Sequence, residues 1–255
     1  LTGAVGMLAR AVRREFEERD HEVVALDRPA LDVTDAVAVE RTIRSVRPDA
    51  VIQCAAYTAV DDAEREEARA HLVNAEATRH VARACRAVGA RLVYPSTDYV
   101  FDGRGREPYR PDHPTAPINA YGRSKLAGED AAREAGEYLV VRTSWLYGAG
   151  GKNFVATMIE LGRAGRPLRV VDDQRGSPTW TGTLAAVFAE LLEREAPAGV
   201  YHACNRGETT WCGLAREALR LAGIEVEITP VTTAEFPRPA VRPAYSVLDC
   251  AATEA

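Results

Sequence analysis

Near its start the chain reads Gly3-Ala4-Val5-Gly6-Met7-Leu8-Ala9, and a helical pattern continues to about residue 19. Glycines in such a turn let the backbone bend tightly and approach a ligand closely. The free N–H groups and the dipole of a helix N-terminus favour a bound pyrophosphate. The spacing is G-x-x-G-x-x-A, which is a weak signal alone because glycine-rich turns often precede helices. The rest of the chain therefore has to show whether this turn belongs to a nucleotide-binding fold.

Short apolar runs alternate with helical patterns through residues 1–145. The apolar runs are residues 22–26, 50–52, 91–94 and 138–141, and the helical patterns are residues 6–19, 34–46 and 72–88 and the segment that carries Tyr121 and Lys125. Strands that alternate with helices and read as continuous apolar runs indicate a parallel sheet covered on both faces. The pattern predicts an α/β fold, a Rossmann-like doubly wound parallel sheet.

Beyond residue 145 the alternation of apolar runs and helical patterns becomes less regular, and proline and glycine become more frequent. We predict that residues 1–145 form the nucleotide-binding domain and residues 146–255 mainly a smaller C-terminal substrate-binding lobe. Within this lobe we expect helices at 183–195 and 210–222 and strands at 199–202 and 225–228. The chain opens without methionine and stops soon after Leu248-Asp249, so we expect both of its ends to be trimmed.

The composition excludes several classes of protein. A net charge of −5 and a pI near 5.7 argue against a nucleic-acid partner, which usually leaves a basic footprint. Apolar stretches stay below the roughly 18 residues of a membrane span. The five cysteines are odd in number, scattered, and without a CxxC pair. We expect reduced thiols in a cytoplasmic protein with no metal site.

Asp27 follows the second apolar run, about 20 residues after the glycine turn. A carboxylate in that place binds the ribose hydroxyls of an adenosine and favours NAD. Arg28 beside it would instead suit the 2′-phosphate of NADP. The residues therefore predict NADP(H) or NAD(H) as the cofactor and leave the choice between them open.

A polar loop and a Tyr-Lys pair follow the third apolar run. The loop reads Pro95-Ser96-Thr97-Asp98-Tyr99-Val100-Phe101-Asp102-Gly103, and the pair is Tyr121 and Lys125 in Tyr121-Gly122-Arg123-Ser124-Lys125. Only two of the 32 basic residues are lysine, so Lys125 stands out as an amine that arginine does not replace. Residues four apart share a helix face, where an ammonium can lower the pKa of a phenol. The pair predicts a tyrosine acid in proton transfer.

These motifs, in this order, resemble the extended short-chain dehydrogenases/reductases. Within them the chain resembles the dTDP-4-dehydrorhamnose reductase family. The blocks that carry this resemblance are residues 55–64, 96–103, 121–129, 142–145, 172–179 and 242–246. The resemblance spans essentially the whole chain, and the first three blocks are its most specific part.

The resemblance implies roles for individual residues. Tyr121 would protonate the sugar C4 oxygen, Lys125 would bind the nicotinamide ribose and hold the tyrosine pKa down, and Thr97 would orient the carbonyl. The implied cofactor-binding residues are Gly3, Gly6, Met7, Asp27, Arg28, Asp32, Val33, Ala55, Ala56, Thr58, Tyr121 and Lys125. The implied substrate-binding residues are Thr97, Asp98, Trp145, Asn153 and Arg242. Asn74 would either complete a proton relay or serve as an ordinary polar helix residue.

The implied activity is the NAD(P)H-dependent reduction of the C4 keto group of dTDP-4-dehydro-β-L-rhamnose. One alternative is a 4-ketoreductase for another dTDP-4-keto-6-deoxysugar of secondary metabolism, and another is a non-catalytic nucleotide-binding regulatory subunit. A 4,6-dehydratase is disfavoured because Tyr99 stands where that class carries a glutamate. The oligomeric state stays open, with a homodimer among the candidates.

Some residues depart from the family pattern or stay outside it. Ala9 replaces the usual third glycine, and Gln53-Cys54 replaces Asn-Ala near the cofactor. Lys152 is expected in a surface loop rather than on a phosphate. We expect Trp180 and Trp211 to pack within the second lobe rather than to contact ligand.

Overall fold

The structure is a computed structural model that describes residues 1–254. Its α-helices are α1 Met7–Glu18, α2 Ala36–Val46, α3 Val60–Ala63, α4 Glu67–His71, α5 Ala77–Val88, α6 Ala120–Ala132, α7 Phe154–Arg163, α8 Thr181–Glu193, α9 Trp211–Leu221 and α10 Ala251–Glu254. Its strands are β1 Ala50–Ile52, β2 Arg91–Thr97, β3 Tyr138–Thr143, β4 Leu146–Tyr147, β5 Leu168–Val171, β6 Arg175–Gly176, β7 Thr179–Trp180, β8 Gly199–His202, β9 Thr209–Thr210 and β10 Ile228–Val231. A π-helix at Leu72–Glu76 leads into α5.

The main sheet is parallel and runs in the order β1-β2-β3-β8. Thr2 extends it, because this residue forms parallel bridges both to Leu26 and to Gln53 at the end of β1. After Thr2 the chain first runs to the neighbouring position at Leu26, and it later returns to the opposite neighbour of Thr2, strand β1. The glycine turn at residues 3–6 therefore lies where the sheet order reverses, the place where such folds bind ligands.

Helices cover both faces of the sheet. On one face α2 and α5 pack on β2 through a core that includes Val39, Val81 and Leu92. On the other face α1 and α8 pack through a core that includes Phe16 and Phe188. Successive residues of β2 point to opposite faces, so the sheet is buried on both sides. The predicted doubly wound α/β fold is confirmed.

A smaller unit is built from β5, β10, α7 and α9. Strands β5 and β10 pair in parallel, and their core includes Leu168, Val170, Cys212 and Leu219. Two short pairs, β4 with β7 and β6 with β9, are interspersed along the chain with the elements of this unit. The role of residues 146–255 in substrate binding stays a prediction.

Three local predictions need correction. Residues 22–26 form no continuous strand, since only Leu26 bridges to Thr2. The strand expected at 225–228 begins three residues later, at Ile228. Strand β8 pairs with β3, and helix α8 packs on α1. Residues 181–202 therefore belong to the main sheet and to the helices that cover it. The division predicted after residue 145 therefore does not separate two halves of the fold, because the strand-helix alternation resumes.

Among residues 1–254, no helix has the length and apolarity to cross a membrane.

Candidate active site

Helix α6 is anchored so that its first turn lies beside the loop after β2. Asn119 caps the helix, with its side-chain carbonyl accepting from the N–H of Gly122 at 2.7 Å. The carboxylate of Glu64 accepts from the N–H of Ala120 at 2.8 Å. A Cβ on Gly122 would lie 2.2 Å from the carbonyl oxygen of Tyr99. The glycine in the Tyr-Lys motif is therefore required for this close approach of loop and helix.

The phenol of Tyr121 lies at the carboxyl end of β2. Its hydroxyl lies near that of Thr97, and the ring of Tyr99 meets the ring of Tyr121 edge-on at 5.9 Å. Burial, and then the nearby carboxylate of Asp98, raise the pKa of Tyr121 above its usual value. The sequence predicted a pKa held down by lysine, and the structure shows the opposite direction. A phenol with a raised pKa stays protonated near neutral pH and can serve as a proton donor.

Lys125 is buried one turn further along α6, with 3% of its surface exposed. Its ammonium donates to the carbonyl of Pro95 at 2.7 Å and lies 3.9 Å from the ring centroid of Tyr94. Burial lowers the pKa of Lys125 to about 7, while the charges of Glu129 and Cys54 act to raise it. The amine is thus poised to change its charge near neutral pH, which a guanidinium does not do.

A buried ion pair beneath this lysine was missed by the sequence analysis. Arg142 donates to both oxygens of Glu129, at 2.9 and 2.7 Å, and the two side chains are 4% and 0% exposed. The hydroxyl of Ser96 donates to Glu129 at 2.5 Å. The pair ties α6 to the ends of β2 and β3, so it fixes the helix that carries Tyr121. A glutamate four residues after Lys125 on an apolar helix face was its only sequence signal.

Asn74 lies in the π-helix and braces the segment after β1 against α6. Its carbonyl accepts from the N–H of Tyr57 at 2.8 Å, and its amide donates to the carbonyl of Tyr57 at 3.0 Å and to the hydroxyl of Ser124 at 2.9 Å. These bonds use the whole amide in structural contacts. Asn74 thus has a structural role at this position, and its place in a proton relay stays a prediction.

The glycine turn has the shape that a dinucleotide needs. Gly3 has φ +66°, and a Cβ there would lie 2.7 Å from the backbone nitrogen of Ala55. Gly6 precedes α1, and no side chain caps this helix N-terminus. The first-turn N–H groups are therefore available to an anion. Ala9 is fully buried, so its methyl is accommodated between helix and sheet. The residues present fit a nicotinamide dinucleotide.

The residues predicted around the adenosine lie together after residue 26. A carboxylate oxygen of Asp27 accepts from the N–H of Ala30 at 3.1 Å. Arg28 is exposed, and its Nε donates to Asp32 at 3.3 Å. Val33 is 5% exposed and packs into the core, so only its backbone can flank an adenine. Arg28 is free to turn outward, because an exposed pair of this kind holds its partners weakly.

The segment predicted to line the nicotinamide follows β1 and touches the glycine turn. Ala55 and Ala56 are half-buried, and Thr58 is exposed. The N–H of Ala55 donates to the hydroxyl of Thr2 at 3.3 Å. Gln53 is buried and donates to the hydroxyl of Thr78 at 3.0 Å. The departure at Gln53 therefore ties the end of β1 to α5.

Asp98 and Trp145 lie at the ends of neighbouring strands. Thr97 pairs with Thr143 in the sheet, so residues just beyond each strand meet at the same edge. The hydroxyl of Thr97 donates to the carboxylate of Asp98 at 3.0 Å. Burial raises the pKa of Asp98 to about 7, against the lowering effect of the hydroxyls of Ser246 and Thr97.

Two predicted substrate contacts are engaged elsewhere in the structure. Asn153 caps α7 by accepting from Ala156 at 2.9 Å, and its amide donates to carbonyls at Gly148 and Gly151 and contacts the sulfur of Met7. Arg242 pairs with Asp61 and donates to the carbonyl of Ala240 at 2.7 Å. Asn153 thus holds a loop beside the start of α1, and Arg242 holds a C-terminal segment against α3. Their predicted diphosphate contacts remain predictions.

A cavity of about 830 Å3 lies elsewhere, at the amino ends of the strands. Its lining includes Asp49, Arg91 and Glu137, which precede or begin β1, β2 and β3. None of the predicted catalytic or cofactor-binding residues lines it. The candidate site is at the opposite, carboxyl ends of these strands.

Comparison with known proteins identifies the family. The family model described as the RmlD substrate binding domain matches residues 1–255. The chain belongs to this family. It is 52% identical to a dTDP-4-dehydrorhamnose reductase from Streptomyces griseus, over 98% of this chain and 84% of that protein. It is 49% identical to a probable dTDP-4,6-dihydroxy-2-methyloxan-3-one 4-ketoreductase from Streptomyces antibioticus, over 97% and 85%.

The fold of this RmlD family member agrees with a solved structure over nearly its full length. That structure is dTDP-4-dehydrorhamnose reductase from Bacillus anthracis str. Ames in complex with NADP, with a TM-score of 0.96 and 42% identity over 99% of this chain and 90% of the other. The resemblance inferred from the sequence motifs is confirmed.

Proposed function

We propose that this protein is an NAD(P)H-dependent reductase of the C4 keto group of dTDP-4-dehydro-β-L-rhamnose, giving dTDP-L-rhamnose. The observation that carries the proposal is that the phenol of Tyr121 lies beside Thr97 at the sheet edge, one helical turn from the buried Lys125. The uncapped start of α1 and the contact of Gly3 with Ala55 lie at the adjoining strand ends. A proton donor and a dinucleotide cradle thus share one edge of the sheet.

In the reaction each residue has a limited task. A nicotinamide cofactor, held by Gly3, Gly6 and the segment at Ala55, supplies the hydride when bound. Thr97 orients the carbonyl, and Tyr121 gives its proton to the C4 oxygen. Its raised pKa keeps the phenol protonated before the transfer. Lys125, as an ammonium, grips the nicotinamide ribose and favours the tyrosinate that remains.

Asp98 and Trp145 complete the proposed sugar site from the ends of β2 and β3. The nucleotide-binding part is the main sheet, and the smaller unit around β5 and α9 would add further contacts to the substrate. We place the protein in the cytoplasm and limit its partners to the cofactor, the dTDP-sugar and, in a homodimer, a second copy of itself.

A second candidate is a 4-ketoreductase of another dTDP-4-keto-6-deoxysugar. The relative at 49% identity carries such a name and is almost as similar as the one at 52%. The non-catalytic alternative is disfavoured because a binding subunit needs neither the phenol of Tyr121 nor its buried lysine.

The test is a coupled assay with enzymatically made dTDP-4-keto-6-deoxyglucose and either NADPH or NADH, with and without a 3,5-epimerase. We expect oxidation of the cofactor only when the epimerase is present, and dTDP-L-rhamnose by NMR. Equal rates without the epimerase would favour the second candidate. Cofactor binding without any turnover would favour the regulatory alternative.

A further inference from the structure

Two tryptophans from different parts of the fold are stacked face to face. The indoles of Trp145 and Trp211 have centroids 3.6 Å apart and planes within 8° of each other. Trp145 follows β3 of the main sheet, whereas Trp211 is the first residue of α9 in the smaller unit. From the sequence we expected Trp211 to pack within its own lobe. Trp211 does pack against the core of that lobe, and its stack in addition joins the lobe to a proposed substrate residue.

Trp145 has an unusual backbone conformation. Its φ is +47°, in the left-handed region that a bulky residue rarely occupies. Such conformations persist only where the surroundings hold them, and they concentrate at ligand sites. The preceding Ser144 donates to the carbonyl of Ser177 at 2.6 Å, which fixes the backbone entering this turn. The indole itself needs a separate constraint.

Trp211 and Gly176 supply that constraint. The backbone of Gly176 lies against Trp145, since a Cβ there would fall 2.5 Å from the indole Cε2. Trp211 is itself held, because its indole N–H donates to Gln174 at 3.1 Å and Phe154 packs against its ring at 4.7 Å. Trp145 is thus held between Gly176 and Trp211, which are themselves fixed in place. Its indole is half-buried, so part of it is accessible to a ligand.

We propose that Trp211 is a positioning residue that holds the indole of Trp145 against the substrate sugar. The proposal rests on the proposed function, because the contact of Trp145 with the sugar is part of that function. Without a stacking partner the indole leaves its strained position, and the sugar binds in less productive orientations. The cofactor site lies on other residues, so cofactor binding is unaffected.

The test compares Trp211→Leu, which removes the ring, with Trp211→Phe, which keeps a stacking ring. Trp180→Phe is the matched control, because Trp180 is 51% exposed and outside the stack. Stacked indoles give an exciton couplet in circular dichroism, which reports the stack without any assay of activity. We expect Trp211→Leu to lose the couplet and about 10- to 100-fold in kcat/KM for the dTDP-sugar, with KM for the nicotinamide cofactor unchanged. Trp211→Phe should recover most of kcat/KM.

Three results would overturn the proposal. The first is an unchanged kcat/KM for the sugar in Trp211→Leu after loss of the couplet. The second is an equal rise of KM for cofactor and sugar, which a merely structural role would give. The third is a Trp211→Phe variant no better than Trp211→Leu, a comparison that stands if the leucine variant folds poorly. A wild-type protein that shows the couplet and reduces no dTDP-sugar would instead overturn the proposed function, and this inference with it.

Discussion

Arg142 and Glu129 form a bidentate ion pair at 2.9 and 2.7 Å in the interior of the protein, directly below the helix face of Tyr121 and Lys125. Arg142 also donates to the carbonyl of Pro111 at 3.1 Å. The pair joins α6 to β3 and receives the hydroxyl of Ser96 from β2. The orientation of the helix that carries Tyr121 and Lys125 therefore depends on two charges that the solvent does not reach.

Breaking this pair on one side should be costly. Glu129→Gln leaves the guanidinium of Arg142 buried without its counter-charge, and we expect the free energy of unfolding to fall by about 3–5 kcal/mol. The double variant Glu129→Gln/Arg142→Met removes both charges and should recover much of that loss. Urea denaturation of the two variants measures the difference. Equal losses in both would show that the charge pairing is not what stabilises this region.

The low pKa of Lys125 predicts a pH dependence of activity. The ammonium loses its proton as the pH rises through about 7, so kcat/KM should fall above that pH. In Lys125→Arg the charge persists, and this limb of the profile should disappear while the overall rate drops. Lys152→Arg makes the same change at an exposed loop position and should leave the profile unaltered. A limb near pH 7 that survives in Lys125→Arg would assign it to another group.

Gly3 should matter for cofactor binding and Gly89 should not. Both have positive φ, +66° and +75°, but a Cβ on Gly3 meets the backbone of Ala55 at 2.7 Å, whereas nothing lies within 4 Å of one on Gly89. Gly89→Ala should cost only the backbone strain, about 1–2 kcal/mol of stability. Gly3→Ala should lose more stability than Gly89→Ala. It should also bind NADPH less tightly, as measured by fluorescence titration. Equal NADPH affinity in the two variants would contradict the assignment of Gly3 to the cofactor site.

His202 should make the protein less stable in acid. It is fully buried beside Arg142, and burial, then the guanidinium, lower the pKa of His202 to about 4. Between pH 6.5 and 4 the unfolded chain binds a proton that the folded chain does not, so stability falls as the pH falls. The contribution amounts to about 3 kcal/mol across that range. In His202→Gln the pH slope of the unfolding free energy should be shallower; an identical slope would exclude this histidine as the cause.

The sequence predicted the features of the fold that depend on local pattern. The alternation of apolar runs and helices predicts the parallel sheet, and the motif around Tyr121 and Lys125 falls on one helix face as expected. The pairing of β8 with β3 was not predicted, because it depends on a contact between segments about 60 residues apart. The pairing of Glu129 with Arg142 was missed because it depends on how α6 packs against β3, which local pattern does not determine.

The electrostatics of the site also could not be predicted from local sequence pattern. The spacing of Tyr121 and Lys125 predicts an ammonium near the phenol, but burial decides the direction of both pKa shifts. The ammonium donates to Pro95, on a neighbouring strand that the spacing does not identify. Arginines such as Arg242 could not be assigned from the sequence, since their partners are set by the folded chain.

We propose that Tyr121 supplies the proton for reduction of a dTDP-4-keto sugar. The most direct measurement is cofactor oxidation by the wild type and Tyr121→Phe with the epimerised dTDP-sugar, alongside NADPH affinity for both. We predict a fall in kcat of about 100- to 10,000-fold in Tyr121→Phe, with NADPH affinity nearly unchanged. A Tyr121→Phe variant that turns over at the wild-type rate would contradict the role of Tyr121 as the proton donor.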